Sequence, residues 1–212
     1  AVQLGVDIIG EATGDYLGIS LSSNSDGSIV AIGAPYHDSN KGHVKVYQYS
    51  SGSWSQLGAD IDGEAASDGS GGSVSLSSDG TIVAIGAYEN DGTDNNAGHV
   101  RVYQYDSSKT TEETDQSSPD FGPIGWRRLG ADIDGEVRLD YSGVSVSLNS
   151  DGTIVAIGAD SNDRSTGNIN DNGGHVRVYQ YDSSKTTAET DQSSSDFGPI
   201  GWRRLGSDID GE

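Results

Sequence analysis

Two runs of carboxylates are the residues of this sequence best suited to chemistry. Each run places four acidic side chains within nine residues and includes a glycine that permits a sharp bend. Such loops supply the oxygen ligands that Ca²⁺ takes in proteins. We therefore predict a calcium site at these residues, which are Asp60, Asp62, Glu64 and Asp68 in the first run and Asp132, Asp134, Glu136 and Asp140 in the second.

A structural role for the same carboxylates is the alternative. Aspartate side chains cap turns by accepting hydrogen bonds from backbone amides, and they remain solvated while they do so. An earlier run of the same pattern has Ile9 in place of its second Asp, which weakens the calcium hypothesis. The carboxylates that this earlier run keeps are Asp7, Glu11 and Asp15.

Histidine and tyrosine recur at fixed places. An imidazole that occurs once per repeat suits a structural hydrogen bond better than a shared metal site. The tyrosines are expected to pack between neighbouring sheets, although aromatic rings near a polar rim also stack on sugars. The recurrent residues are His43, His99 and His175, followed by Tyr47, Tyr103 and Tyr179 and by Tyr49, Tyr105 and Tyr181.

Enzymatic chemistry finds no support in the motifs. The chain has no cysteine nucleophile, no G-x-S-x-G turn and no phosphate-binding glycine loop. Its many serines and aspartates fall at repeated positions, so pairing any of them with a histidine would be arbitrary. We therefore expect a protein that is not an enzyme.

Charge and composition limit the classes of molecule that this chain is expected to bind. A formal charge of −21, from 12 basic and 33 acidic side chains, repels nucleic acid and anionic membranes. No apolar run reaches the roughly 18 residues that span a bilayer, so membrane insertion is not expected. Metal cations, proteins and neutral glycans remain as candidate partners.

Internal repetition organises the chain. The motif LG-x-D-I-x-G-E begins at Leu4, Leu57, Leu129 and Leu205, so the repeats are spaced 53, 72 and 76 residues apart. Within each repeat follow an S/T-I-V-A-I-G-A segment, a loop of variable length, a G-H-V-K/R-V-Y-Q-Y segment and a tryptophan. Framework segments that stay constant while loops change length are typical of tandem structural repeats.

Each repeat predicts four antiparallel strands. In the second repeat these are Ser73–Leu76, Thr81–Ala87, His99–Tyr105 and a fourth strand from Trp126 to about Ile133. The Asp-Gly pairs at Asp26, Asp79 and Asp151 favour two-residue hairpin turns, so a turn role explains these aspartates better than metal binding. The fold class predicted is all-β.

The repeats are predicted to be blades of a β-propeller. A four-stranded sheet of this size cannot bury both faces alone, so like sheets must stack against it. A β-solenoid is the rival, but its coils are usually shorter than these repeats. The boundaries are 1–9 for the outer strand of a preceding blade, 10–62 for blade 1, 63–134 for blade 2 with an insert at 106–125, and 135–212 for blade 3 with an insert at 182–201.

The inserts are almost identical to each other. Each begins with a polar Ser/Thr/Asp tract and ends with Phe-Gly-Pro-Ile-Gly, whereas the first repeat has only Ser-Ser-Gly-Ser at that place. A polar tract is expected to be mobile in isolation, and the apolar end is expected to dock on a hydrophobic groove. The loops between the second and third strands grow from 8 to 15 residues, and we expect these variable loops to contact neighbouring proteins or matrix.

The segments Ile32–Pro35, IGAP, and Gly42–Tyr47, G-x-V-x-V-Y, resemble the FG-GAP repeat of integrin α-subunit propellers. The whole chain is still more similar to the DIDGEA…SVSLSSDGTIVAIGA…GHVRVYQY repeats of large secreted or surface proteins of marine microbes and algae. The resemblance implies an extracellular or cell-surface location and a ring of six or seven blades. It also implies Ca²⁺ in the loop between the first two strands, but that loop is here a short hairpin with one carboxylate.

These observations together predict a structural or adhesive module. We expect it to contact extracellular proteins or matrix, and to complete its ring with further blades or with a second copy of itself. The alternative is a carbohydrate-binding, lectin-like propeller that takes a glycan ligand and depends on calcium. Fold alone does not separate the two functions.

Overall fold

The structure, a computed structural model, describes residues 2–162 and 173–211, and it confirms the all-β prediction. Three antiparallel sheets follow one another along the chain. The first contains β1 (Ser20–Ser23), β2 (Ile29–Ala34), β3 (His43–Ser50), β4 (Ser53–Gln56) and β5 (Ile61–Asp62), with a short helical turn, α1 (His37–Asn40), before β3. The second contains β6 (Ser70–Leu76), β7 (Ile82–Ala87), β8 (His99–Tyr105), β9 (Trp126–Arg128) and β10 (Ile133–Asp134). The third contains β11 (Ser145–Leu148), β12 (Ile154–Ala159), β13 (His175–Tyr181), β14 (Trp202–Arg204) and β15 (Ile209–Asp210).

The outer strand of each sheet is broken into two pieces. In the second sheet, β9 and β10 both pair with β8, so five segments make a four-stranded blade. The predicted single strand from Trp126 to Ile133 is therefore interrupted. The interruption contains Gly130, which has a φ of +69° and whose added Cβ would lie 2.6 Å from the indole nitrogen of Trp202. A close approach of the next blade thus bends the outer strand at this glycine.

The sheets stack through their first strands, and the contacts repeat at both interfaces. The Ser20 hydroxyl donates to the Gly71 carbonyl oxygen at 2.6 Å, and the Ser73 hydroxyl donates to that of Gly143 at 2.7 Å. The backbone amide of Leu76 donates to the Ser22 hydroxyl at 3.0 Å in the same way. Small polar side chains on the inner strands therefore allow close packing, as blades around an axis require.

The core consists of thin apolar layers, one between each pair of sheets. The first joins residues such as Val44 and Ile61 of the first sheet to Val83 and Ile85 of the second. The second repeats this arrangement between the second and third sheets. Tryptophans close the outer edge of each layer, where the indole nitrogen of Trp126 donates to the Leu57 carbonyl oxygen at 3.1 Å.

One predicted strand is not observed, and one predicted loop lies mostly outside the described residues. Residues 2–9 form no strand, although a strand was predicted there. The equivalent residues of the next repeat, Ile61–Asp62, are a strand because they pair with β3, whereas none of the strands in the described residues pairs with residues 2–9. Most of the long loop before β13 is made of residues 163–172, which lie outside the described residues. No helix in the part of the chain described is long and apolar enough to cross a membrane.

Candidate functional site

Carboxylates of the acidic runs contact a buried lysine or arginine side chain on the third strand of each blade. In blade 2 this cation is Arg101, which is 5% exposed. Its guanidinium donates to both carboxylate oxygens of Asp132, at 2.8 and 2.6 Å, and to Glu64. Asp132 accepts a further bond from Arg128 at 2.6 Å. A bidentate, charge-assisted pair of this kind fixes the two elements that it joins.

The same triad occurs in all three blades. Each consists of a cation on the third strand, a Glu from the crossover that enters the blade and an Asp from the crossover that leaves it. The triads are Glu11, Lys45 and Asp60 in blade 1, Glu64, Arg101 and Asp132 in blade 2, and Glu136, Arg177 and Asp208 in blade 3. The predicted site residues Glu64 and Asp132 are thus brought together from different runs.

The last aspartate of each run caps a turn. Asp68 accepts from the Ala65 amide at 2.9 Å and from the Asn90 side chain at 3.0 Å. Asp140 accepts from the amides of Glu136 and Val137, and burial raises its pKa. These carboxylates therefore take the structural role that was the alternative for the acidic runs.

The second aspartate of each run is about half exposed, with 53% of the Asp62 side chain and 45% of the Asp134 side chain accessible to solvent. Asp62 lies 3.5 Å from the Lys41 ammonium, and Asp134 lies 4.0 Å from Nδ1 of His99. Loss of solvation, followed by repulsion from Asp132, raises the pKa of Asp134 to about 6. Of the predicted calcium ligands, Asp62 and Asp134 are thus the two that take part in neither a triad nor a turn cap among the described residues.

Ligand-forming side chains gather around the recurrent histidines. Among the described residues, each group of three ligand side chains whose ligand atoms lie within 4.8 Å of one another includes at least one histidine. The groups are Glu11, His37 and His43; His43, Asp60 and Asp62; Glu64, His99 and Asp132; and Glu136, His175 and Asp208. The six to eight oxygens that Ca²⁺ takes are not preassembled there, and the calcium hypothesis stays a prediction.

Sequence reasoning missed His37. It lies in a loop whose length and composition change between repeats, so the repeat pattern does not mark it. In the structure its ring lies 4.1 Å from that of His43, centroid to centroid. Burial lowers the pKa of His43, and repulsion from His37 lowers it further. A neutral, buried imidazole can bind a metal or form a structural hydrogen bond, and the atoms around the ring distinguish these two roles.

The inserts dock on the acidic crossovers and form a cleft beside each one. Phe121 lies under the guanidinium groups of Arg128 and Arg101, at 4.6 and 5.3 Å from ring centroid to Cζ. The side chain of Gln116 donates to Glu64, which ties the polar part of the insert to the preceding crossover. Phe121 also packs against the apolar core between the first two sheets, so the apolar end of the insert contacts both this hydrophobic layer and the arginines.

The two clefts have similar linings and different details. The first, of about 270 Å³, is lined by Glu64, Arg101 and Glu112 among others. The second, of about 400 Å³, is lined by Glu136, Arg177 and Ala188 at the equivalent places.

No family model and no curated protein matches this chain. Among solved structures, the crystal structure of TolB from Acinetobacter baumannii is similar, with 16% sequence identity and a TM-score of 0.28. The similarity covers 76% of this chain and 40% of the TolB chain, so this chain spans about two fifths of the length of that structure.

Proposed function

We propose that this chain is a non-enzymatic structural or adhesive module that works outside the cell or at its surface. The observation that carries the proposal is the repeated insert. Gln116 bonds Glu64 in one insert and Gln192 bonds Glu136 in the other, so two nearly identical surfaces are fixed in the same way on adjacent blades. Two equal surfaces on one rigid body favour bivalent contact with a protein or matrix.

The ionisable groups support a structural role. The buried cations and most carboxylates of the acidic runs are used in triads and turn caps, which leaves few groups free for chemistry. The triads recur in all three blades, as expected of contacts that stabilise each blade. It also explains why Asp and Glu are frequent without a catalytic centre.

Open sheet faces at both ends of the stack favour further blades or a second copy as partners. Leu21 of blade 1 is 72% exposed, whereas its equivalent Val74 of blade 2 is 9% exposed. At the other end Ile209 is 63% exposed and its equivalent Ile133 only 2%. Each open face corresponds to a face that is covered by the adjacent sheet elsewhere in the chain. A sheet of the same kind therefore fits each of them.

Replacing the inserts tests the adhesive proposal. We would exchange 106–125, 182–201 or both for the Ser-Ser-Gly-Ser turn of the first repeat, and measure adhesion of coated beads to immobilised matrix proteins and polysaccharides. Loss of one insert is expected to weaken adhesion by about 10²-fold or more, because bivalency multiplies affinity. Unchanged adhesion of the double replacement, with its melting temperature preserved, would contradict the proposal.

A lectin-like module is the second candidate, and the clefts are the observation that favours it. Each contains a partly exposed phenylalanine and carboxylates around a buried arginine, so the ring can stack on a sugar while the carboxylates bond its hydroxyls. Saturable binding on a glycan array that is abolished when Phe121→Ala is combined with Phe197→Ala would favour the lectin-like function over the adhesive one.

Calcium dependence of the lectin-like candidate has its own test. A specific site would raise the melting temperature as Ca²⁺ is added, because ligand that binds only the folded state stabilises it by about 2.7 kcal/mol at 100 times its Kd. Asp62→Asn combined with Asp134→Asn removes one exposed carboxylate that no arginine pairs from each acidic run, so the double variant is expected to lose the shift and keep the fold. An unchanged melting temperature of the unmodified chain in millimolar Ca²⁺ would end the calcium hypothesis.

A further inference from the structure

Blade 1 brings two imidazoles and a carboxylate to one place. Ligand atoms of Glu11, His37 and His43 all lie within 4.8 Å of one another. Of the groups of this kind in the described residues, it is the one with two histidines. From this juxtaposition we infer that blade 1 holds a Zn²⁺ site formed by His37, His43 and Glu11.

His43 supplies an independent sign of a missing ligand. Its side chain is 2% exposed, and its Nδ1 atom has no hydrogen-bond partner among the described residues. The nearest charged group is the Asp60 carboxylate, at 4.0 Å from Nδ1, which is too far for a hydrogen bond. Buried polar atoms in proteins are nearly always paired, so an unpaired nitrogen on an imidazole that belongs to a group of ligand side chains points to a bound ion.

His37 is oriented as a metal ligand. Its Nδ1 atom lies 3.0 Å from Oδ2 of Asp15, a carboxylate that is itself 8% exposed. Zinc-bound histidines usually donate their second ring N–H to such a carboxylate, which fixes the tautomer and the ring orientation. The other nitrogen, Nε2, is then free to bind and lies 3.9 Å from Oε2 of Glu11.

Two nitrogens and one carboxylate oxygen favour zinc over calcium. Zinc takes nitrogen and oxygen at about 2.0–2.2 Å in a tetrahedral arrangement, whereas calcium takes oxygen alone. Tetrahedral bonds of that length space ligand atoms about 3.4 Å apart, so the half-exposed Glu11 side chain must move inward. Three protein ligands leave the fourth position to solvent.

The charges nearby accommodate a divalent cation. Glu11, Asp15, Asp60 and Asp62 surround the group, and Lys45 and Lys41 supply two positive charges. With both imidazoles neutral the local charge is −2, which Zn²⁺ would balance. Lys45 already bonds Oε1 of Glu11, and the proposed metal uses the opposite oxygen, Oε2.

The other blades provide a natural control. Asn90 of blade 2 stands where His37 stands in blade 1, and its side chain bonds Asp68 at 3.0 Å as His37 bonds Asp15. His37→Asn therefore keeps the structural hydrogen bond and removes one ligand. A loss of metal affinity in His37→Asn can therefore be attributed to the lost ligand and not to a lost hydrogen bond with Asp15.

Isothermal titration with ZnCl₂ tests the inference. The unmodified chain is expected to bind one Zn²⁺, and His37→Asn is expected to lower the affinity by more than about 10-fold, the loss typical even of an outer-shell partner. The melting temperature of the metal-free variant should match that of the unmodified chain. Equal Zn²⁺ affinities of the two proteins, or no binding by either, would overturn the site.

Cobalt spectroscopy and a second variant guard against non-specific binding. Co²⁺ in a tetrahedral site of mixed nitrogen and oxygen ligands absorbs visible light strongly, and Zn²⁺ should displace it. Glu11→Gln is expected to weaken this signal, while Asp134→Asn in blade 2 leaves it unchanged. A signal that follows the number of exposed carboxylates and ignores His37 would show that the acidic surface alone binds the metal and would reject the site.

Discussion

Replacing Arg101 by methionine is expected to lower the free energy of unfolding by about 3–5 kcal/mol. The loss arises because Glu64 would keep its charge without a cationic partner, and Asp132 would keep only Arg128, at a site where Arg101 is 5% exposed. Removing one member of a buried ion pair costs this much, whereas removing an exposed one costs little. Chemical denaturation at neutral pH, monitored by tryptophan fluorescence, measures the change.

Arg101→Lys is the matched control, because Lys45 holds the equivalent position in blade 1. An ammonium group keeps the charge but lacks the planar fork that bonds both oxygens of Asp132, so about 1–2 kcal/mol should be lost. A methionine variant within about 1 kcal/mol of the unmodified chain would contradict the structural role assigned to the triads.

The triad also gives the protein a pH dependence with a definite sign. Burial by itself would raise the pKa of Asp132, but the hydrogen bonds and charge of Arg101 outweigh it and leave the pKa lowered. A carboxylate whose pKa is lower in the folded state stabilises the fold above its unfolded pKa of about 3.9 and loses that contribution as pH falls through the folded value. Stability should therefore fall below about pH 4, and less steeply in Arg101→Met.

The repeats made the fold predictable, and the same repeats explain what was missed. A motif that recurs in fixed order marks each hairpin, so β8 (His99–Tyr105) matches its predicted bounds. The break in the outer strand depends on Gly130 lying against Trp202 of the next blade. This contact could not be predicted from one repeat, because it forms only when two adjacent repeats pack together.

The site was less predictable because its partners are distant in sequence. Arg101 bonds Glu64, 37 residues earlier, and Asp132, 31 residues later. Sequence reasoning grouped acidic residues by proximity along the chain, whereas the structure groups them by the cation between them. His37 was missed for a related reason, since it lies in a loop where the repeats differ.

Gly86→Ala is expected to lower the free energy of unfolding by about 3 kcal/mol or more. A Cβ atom added at Gly86 would lie 2.0 Å from the carbonyl oxygen of Gly143 in the next blade. Overpacking a tight core costs about 1–3 kcal/mol when side chains can adjust, and here the obstacle is backbone. The carbonyl also accepts the Ser73 hydroxyl, so moving the blade apart breaks that bond as well. Thermal and chemical unfolding measure the loss.

Gly158→Ala makes the same change at the open face of blade 3. There the added Cβ meets the Ser145 hydroxyl at 2.4 Å and no backbone atom closer than 3.9 Å. A hydroxyl can rotate away, and alanine suits a strand interior better than glycine by about 0.5–1 kcal/mol, so stability should change by less than about 1 kcal/mol. Equal losses at Gly86 and Gly158 would show that close contact between blades is not the cause.

The same variant tests whether a further blade packs on that face. In a second copy docked as blade 2 docks on blade 1, the carbonyl oxygen of Gly18 would take the place that the Gly71 oxygen takes against Gly33. The methyl group of Gly158→Ala would then block association while leaving the chain folded. Sedimentation equilibrium should show self-association of the unmodified chain and at least about 10-fold weaker association of the variant, since 1.4 kcal/mol of clash suffices for that. Identical masses for the two proteins would contradict docking of a second copy at this face, because no interface that repeats the internal one can accept that methyl group.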